Sequence, residues 1–150
     1  MDQLQIDLKY RWYPVYLREK LEYLFPMAIS PHMRLLYKGP AVFKWEVFQK
    51  ITGDKKIVYI GEAQELCPRR LYGYLAPGPT QVANQKVNTE FRTYLKEKLS
   101  IHLDICEVAE LKFAGAEISP NPLNDKHYRR LLVEAMILDH QKRGYTVVDL

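Results

Sequence analysis

The sequence predicts an α+β domain in which a small antiparallel sheet is covered by helices. Three observations carry this expectation. Apolar and polar residues alternate on both sides of a glycine turn between Ala41 and Gly61, apolar residues recur at helical spacing over residues 84–99 and 125–143, and a third alternating segment, Ile101 to Ile105, lies between those helices. A chain of 150 residues is long enough for one core and short for two, so residues 1–150 read as a single domain, with 1–40 as a helical extension.

From Pro14 to Leu24, the spacing of Leu17, Leu21 and Leu24 predicts a helix, with Pro14 in the first turn, where its missing N–H costs nothing. Pro26 and Pro31 mark a connection, and Gly39-Pro40 a turn. Ala41, Phe43, Trp45 and Val47 alternate with Lys44 and Glu46, the two-residue period of a half-buried strand. The turn Thr52-Gly53-Asp54-Lys55 leads to a second strand, Ile57-Val58-Tyr59-Ile60, ending at Gly61 and pairing with the first as a hairpin.

A helical segment follows over about Leu66 to Leu75, its regular part confined beyond Pro68 and ended by Pro77-Gly78-Pro79. Val87, Phe91, Leu95 and Leu99 form the apolar stripe of an amphipathic helix over 84–99. Ile101, Leu103 and Ile105 form a third strand. A loop with Gly115, Pro120 and Pro122 precedes a long helix over 125–143, closed by Gly144, and Tyr145 to Val148 has the length of a short last strand.

Composition narrows the function. The chain is 47% hydrophobic, 27% charged and 12% aromatic, which excludes a disordered protein. No apolar run approaches the roughly 18 residues of a membrane span, and the N-terminus lacks a signal peptide's basic and apolar regions, so a cytoplasmic location without membrane contact is expected. Cys67 and Cys106 are the only cysteines, and the histidines show no ligand spacing, which excludes a thiolate zinc site. Net charge +4 and a pI near 9.0 favour a polyanionic partner.

Two segments carry chemistry. Glu134 interrupts the apolar stretch Leu131 to Leu138; it is either a residue at the edge of the buried face, bonded to Arg130, or a metal ligand or general base in a dry setting. Tyr59-Ile60-Gly61 is followed by Arg69-Arg70-Leu71. There a glycine permits close backbone approach, and an arginine can aim a fork of donors at a phosphate. Beyond them Tyr74, Gln81, Asn84 and Lys86 interleave aromatic, amide and basic groups that suit contact with a DNA backbone.

Tyr59-Ile60-Gly61-Glu62-Ala63, then Leu66, an arginine and a tyrosine-bearing helix, resembles the second half of the signature of GIY-YIG endonucleases. Ala41-Val42-Phe43 is similar to their first motif, and Glu134 stands on a later helix, as their metal-binding glutamate does. The resemblance spans about residues 40–148. It implies a three-stranded antiparallel sheet flanked by helices, and a metal-dependent DNA endonuclease using Mg²⁺ or Mn²⁺. Tyr59 would position the attacking water, Arg69 or Arg70 would stabilise the phosphate, and Glu134 would hold the ion, in a cleft shared by all three. An ungapped match to the family pattern gives Arg69, but aligning Leu71 and Tyr74 with the family's apolar helix positions favours Arg70, which then lies one helical turn before Tyr74.

Two residues depart from the family pattern. Phe43 replaces the first tyrosine and brings no hydroxyl, a place Tyr37 could take; Asp149 stands where an asparagine often closes the family's domain. The expected partner is duplex DNA, with oligomers and protein partners left open. The alternatives are a catalytically weak or inactive DNA-binding module that keeps the nuclease fold, and an unrelated basic binding protein.

Overall fold

The computed structural model describes residues 1–117 and 121–150, and the side chains of all of these except 55 and 56. From the N-terminus the chain forms β1 (Ile6–Pro14), β2 (Tyr16–Arg18), β3 (Leu21–Glu22), α1 (Pro31–Leu36), β4 (Ala41–Phe48) and β5 (Lys55–Ala63). It continues with α2 (Leu71–Leu75), α3 (Val82–Lys96), β6 (Ser100–Phe113), β7 (Ala116–Glu117), α4 (Lys126–Lys142) and β8 (Thr146–Asp149). Pro120, expected in a loop, lies outside the described residues.

The predicted hairpin is the centre of the sheet. β4 pairs with β5 through Phe43↔Gly61 and Trp45↔Tyr59, and on its other edge with β6 through Trp45↔Leu103 and Glu46↔His102. The turn between β4 and β5 uses Gly53 at φ 73°, a conformation open to glycine at little cost. These three strands are the expected antiparallel set, but the sheet is larger. It is a mixed six-stranded sheet in the order β1-β6-β4-β5-β8, with β7 pairing β6 and β8 running parallel to β5.

The N-terminal expectation is corrected outright, because residues 14–24 form no helix. Leu8, Tyr10, Trp12 and Pro14 alternate with exposed neighbours along β1, which pairs with β6 as far as Pro14↔Asp104. The backbone then stays with the sheet, as Val15 N–H donates to the Leu103 carbonyl (2.8 Å) and Phe25 N–H to the Ile101 carbonyl (3.0 Å). Tyr23 and Phe25 are buried against Trp45, at ring separations of 6.1 Å each. Aromatic and β-branched side chains suit a pleated, half-buried surface, and that packing outweighs the leucine spacing. Residues 1–40 therefore contribute strands and the short α1 rather than a helical extension.

The sheet has two covered faces. On one, Phe43, Trp45, Tyr59 and Leu103 pack with Leu71, Tyr74 and Phe91 from α2 and α3. On the other, Val42, Val58, Ile60 and Cys106 pack with Leu132, Val133 and Met136 from α4. The Asp125 carboxylate caps α4 by accepting from His127 N–H (2.7 Å), and Gly144 at φ 91° follows its end. α3 stops short of the expected residue 99 because Lys98 turns to φ 66°. Among the described residues, no helix is long and apolar enough to cross a membrane.

Candidate functional site

Alternation along β4 and β5 puts Phe43, Tyr59 and Gly61 on one face of the sheet. A Cβ at Gly61 would lie 2.9 Å from the Leu150 Cβ and 3.1 Å from the Phe43 ring, so only glycine lets these groups close over the strand end. Beyond β5 the chain makes a helical turn over Leu66–Arg70, broken by Cys67 in extended conformation (φ −123°, ψ 127°). Leu66 N–H donates to the Gly39 carbonyl (3.2 Å) and Cys67 N–H to the Tyr37 carbonyl (3.0 Å), fixing the turn to the approach of β4.

That turn carries Arg70 back over the hairpin. Its guanidinium carbon lies 6.0 Å from the Phe43 ring centre and 5.4 Å from that of Tyr74, and the two rings meet edge to face at 6.2 Å. Each cation–ring contact contributes about 0.5–2 kcal/mol and directs the guanidinium. Arg69 is exposed and makes no such ring contact among the described residues. Phe43, at the place where the resembled motif has a tyrosine with its hydroxyl, is a buried ring beside Arg70. Tyr37 does not replace that hydroxyl, since its own accepts the N–H of Tyr16 (3.1 Å).

Two neighbouring polar atoms, Arg70 Nε and the Tyr74 hydroxyl, are buried without a hydrogen-bond partner among the described residues. Leaving such a group unsatisfied costs about 1–3 kcal/mol. Burial pushes the Tyr74 hydroxyl up to about 12, with the positive charge of Arg70 working against it. Both residues line a cleft of about 430 Å³ with Asn84, Lys86, Glu90 and Asp149. Of the expected DNA-contacting residues, Tyr74, Asn84 and Lys86 are therefore together. Gln81 instead fastens the preceding loop, its carbonyl accepting from Gly78 N–H (3.1 Å) and Asn84 Nδ2 (3.4 Å).

Tyr59 is buried, and its hydroxyl donates to Glu90 Oε2 (2.5 Å) beside the Tyr94 hydroxyl (3.1 Å). Burial first, and then Glu90, raises its pKa far above that of a free tyrosine. It stays protonated and connects with the cleft through Glu90. Nothing in the sequence singles out Glu90, which lies one turn from Lys86 on an ordinary amphipathic helix.

The shared cleft expected for Tyr59, Arg70 and Glu134 is not formed. Glu134 is exposed, not in a dry setting, and it lines neither the 430 Å³ cleft nor the 620 Å³ cleft that Arg70 borders among the described residues. Its neighbours Leu132, Val133 and Met136 face the side of the sheet opposite Tyr59, which turns the carboxylate outward. Glu134 alone thus does not fit an ion acting at Arg70. Glu90 and Asp149 line the same cleft as Arg70, and their carboxylate oxygens are the donor type that hard divalent ions take.

A separate buried group, Glu46, His102 and Asp104, could also hold a metal ion, its ligand atoms lying within 4.8 Å of one another. It sits on the α4 face, away from Tyr59. His102 Nε2 faces Glu46 (3.1 Å) and Nδ1 faces Asp104 (3.2 Å), so the two carboxylates flank opposite ring nitrogens, and Lys44 lies 2.7 Å from Glu46. Each ring nitrogen meeting its own carboxylate is the arrangement of a doubly donating imidazolium.

Comparison with protein-family models, with curated proteins and with solved structures finds no match to the chain.

Proposed function

We propose that this chain binds DNA and hydrolyses its phosphodiester bonds, as an endonuclease of the GIY-YIG kind. The observation that carries this reading is the cleft at the end of the hairpin, where Arg70 Nε and the Tyr74 hydroxyl are buried donors without partners. An arginine fixed against two rings at the edge of a cleft suits the non-bridging oxygens of a phosphate, whose charge grows in the transition state. Lys86 adds a second cation.

In this mechanism water attacks phosphorus and the opposite P–O bond breaks. Arg70 takes the charge on the equatorial oxygens. Glu90, one oxygen of which accepts from Tyr59, receives the proton of the water on the other; Tyr59 orients that carboxylate and keeps its own proton. A divalent ion held by Asp149 would supply charge stabilisation at the leaving oxygen. Incubation with supercoiled plasmid tests the proposal. Nicking with Mg²⁺ or Mn²⁺ that EDTA abolishes supports it, whereas DNA left intact under all conditions speaks for binding alone.

That second reading, a DNA-binding module without cleavage, has its own support. Phe43 brings no hydroxyl, that of Tyr59 is engaged by Glu90, and Glu134 lies outside the clefts of Arg70.

A further inference from the structure

Arg70 borders a second, larger cleft of about 620 Å³, on the other side of the turn that carries it. Its charged lining is Arg69, Arg70, Lys126 and Arg129 against Glu62 and Glu65, four cations and two carboxylates. Arg129 is the unusual member. Only 4% of it is exposed, and it is fixed by Nε donating to Glu62 Oε2 (2.6 Å) and Nη1 to the Leu123 carbonyl (2.9 Å). Burying a guanidinium is costly unless it is paired and hydrogen-bonded, and this one is held rigidly by both means. Glu62 is thereby engaged, which leaves the positive charge of the cleft in excess. Lys126 stands in the first turn of the long helix α4, whose N–H groups add to the positive potential there.

We propose that this cleft is a second phosphate site, holding a backbone phosphate of the same DNA strand next to the one at Arg70. The inference rests on the DNA reading above and extends it. Arg70 forms the wall between the two clefts, so one strand can engage both. Arg129 and Glu62 set the shape of the site, while Arg69 and Lys126 are the exposed cations that complete it.

Binding of a short fluorescent duplex is measured in EDTA at salt concentrations between about 50 and 200 mM, a range over which phosphate contacts dominate the change in affinity. Arg69→Gln and Lys126→Gln should each weaken binding several-fold and lower the slope of log affinity against log salt by about 1, and the pair by about 2. Wild-type slopes in both variants, with Lys86→Gln still weakening the complex, would overturn the second site and leave the first. If the wild-type protein binds no duplex, the DNA reading itself fails, and a titration with inorganic phosphate followed by NMR decides the remainder. Amide shifts around Lys126 and Arg129 that vanish in the double variant would keep a phosphate site, and their absence would remove it.

Discussion

His102 shows how a single side chain is set by its partners. Burial alone would lower its pKa, but Asp104 and then Glu46 outweigh burial and bring it up to about 9; Glu46, held by His102 and Lys44, falls to about 2 despite its own burial. A histidine raised above its unfolded value of about 6.5 contributes its full stability below that pH and loses it as pH climbs towards 9. Thermal or urea unfolding should therefore show stability falling between about pH 7 and 10, by on the order of 2 kcal/mol, with a flatter profile in His102→Gln. The opposite holds for Glu46, whose contribution is present above about pH 4.5 and disappears as pH falls towards 2.

At the same scale, the two glutamates separate. Glu90→Gln should cut plasmid nicking by at least about a hundredfold, the low end for losing a proton acceptor, and Glu134→Gln should alter it less than about threefold. The reverse order in a rate comparison would return the chemistry to α4. Arg70, Phe43 and Tyr74 were accessible to sequence reading because they fall on the short motifs around the hairpin that the family resemblance aligns, with Tyr74 one helical turn after Arg70. Glu90 and the burial of Tyr59 were not, since both depend on how α3 lies across the sheet.

Among the elements, the hairpin, α3 and α4 are legible because each carries its own periodicity and its own stop: Gly53, Lys98 and Gly144 all adopt positive φ where an element ends. β1 is not, as its alternation is weak and its worth comes from pairing with β6, about ninety or more residues further along the chain. Leucine spacing at residues 17, 21 and 24 then suggests a helix that no partner supports. If β1 belongs to the sheet, removing residues 1–14 should abolish cooperative unfolding or lower the melting temperature by at least about 10 °C, because Leu8, Tyr10 and Trp12 leave the side of the core under α4. A truncated chain that melts as the full one does would show these residues to be a dispensable extension after all.

For the whole molecule, the sheet separates two kinds of polar chemistry. The α4 face buries a network of Lys44, Glu46, His102 and Asp104 that Lys44 extends to His140, while at the end of the hairpin on the other face Arg70 Nε and the Tyr74 hydroxyl are buried without a partner among the described residues. The first arrangement stabilises, and the second is where the proposed phosphate would bind. The most direct measurement is the initial rate of plasmid nicking by Arg70→Ala beside Arg69→Ala, each paired with a melt and a duplex-binding titration. The account expects Arg70→Ala to remain folded and lose at least about a hundredfold in rate, the scale of removing one transition-state donor, while Arg69→Ala keeps most of its rate and loses affinity. Wild-type nicking by a folded Arg70→Ala protein would contradict it.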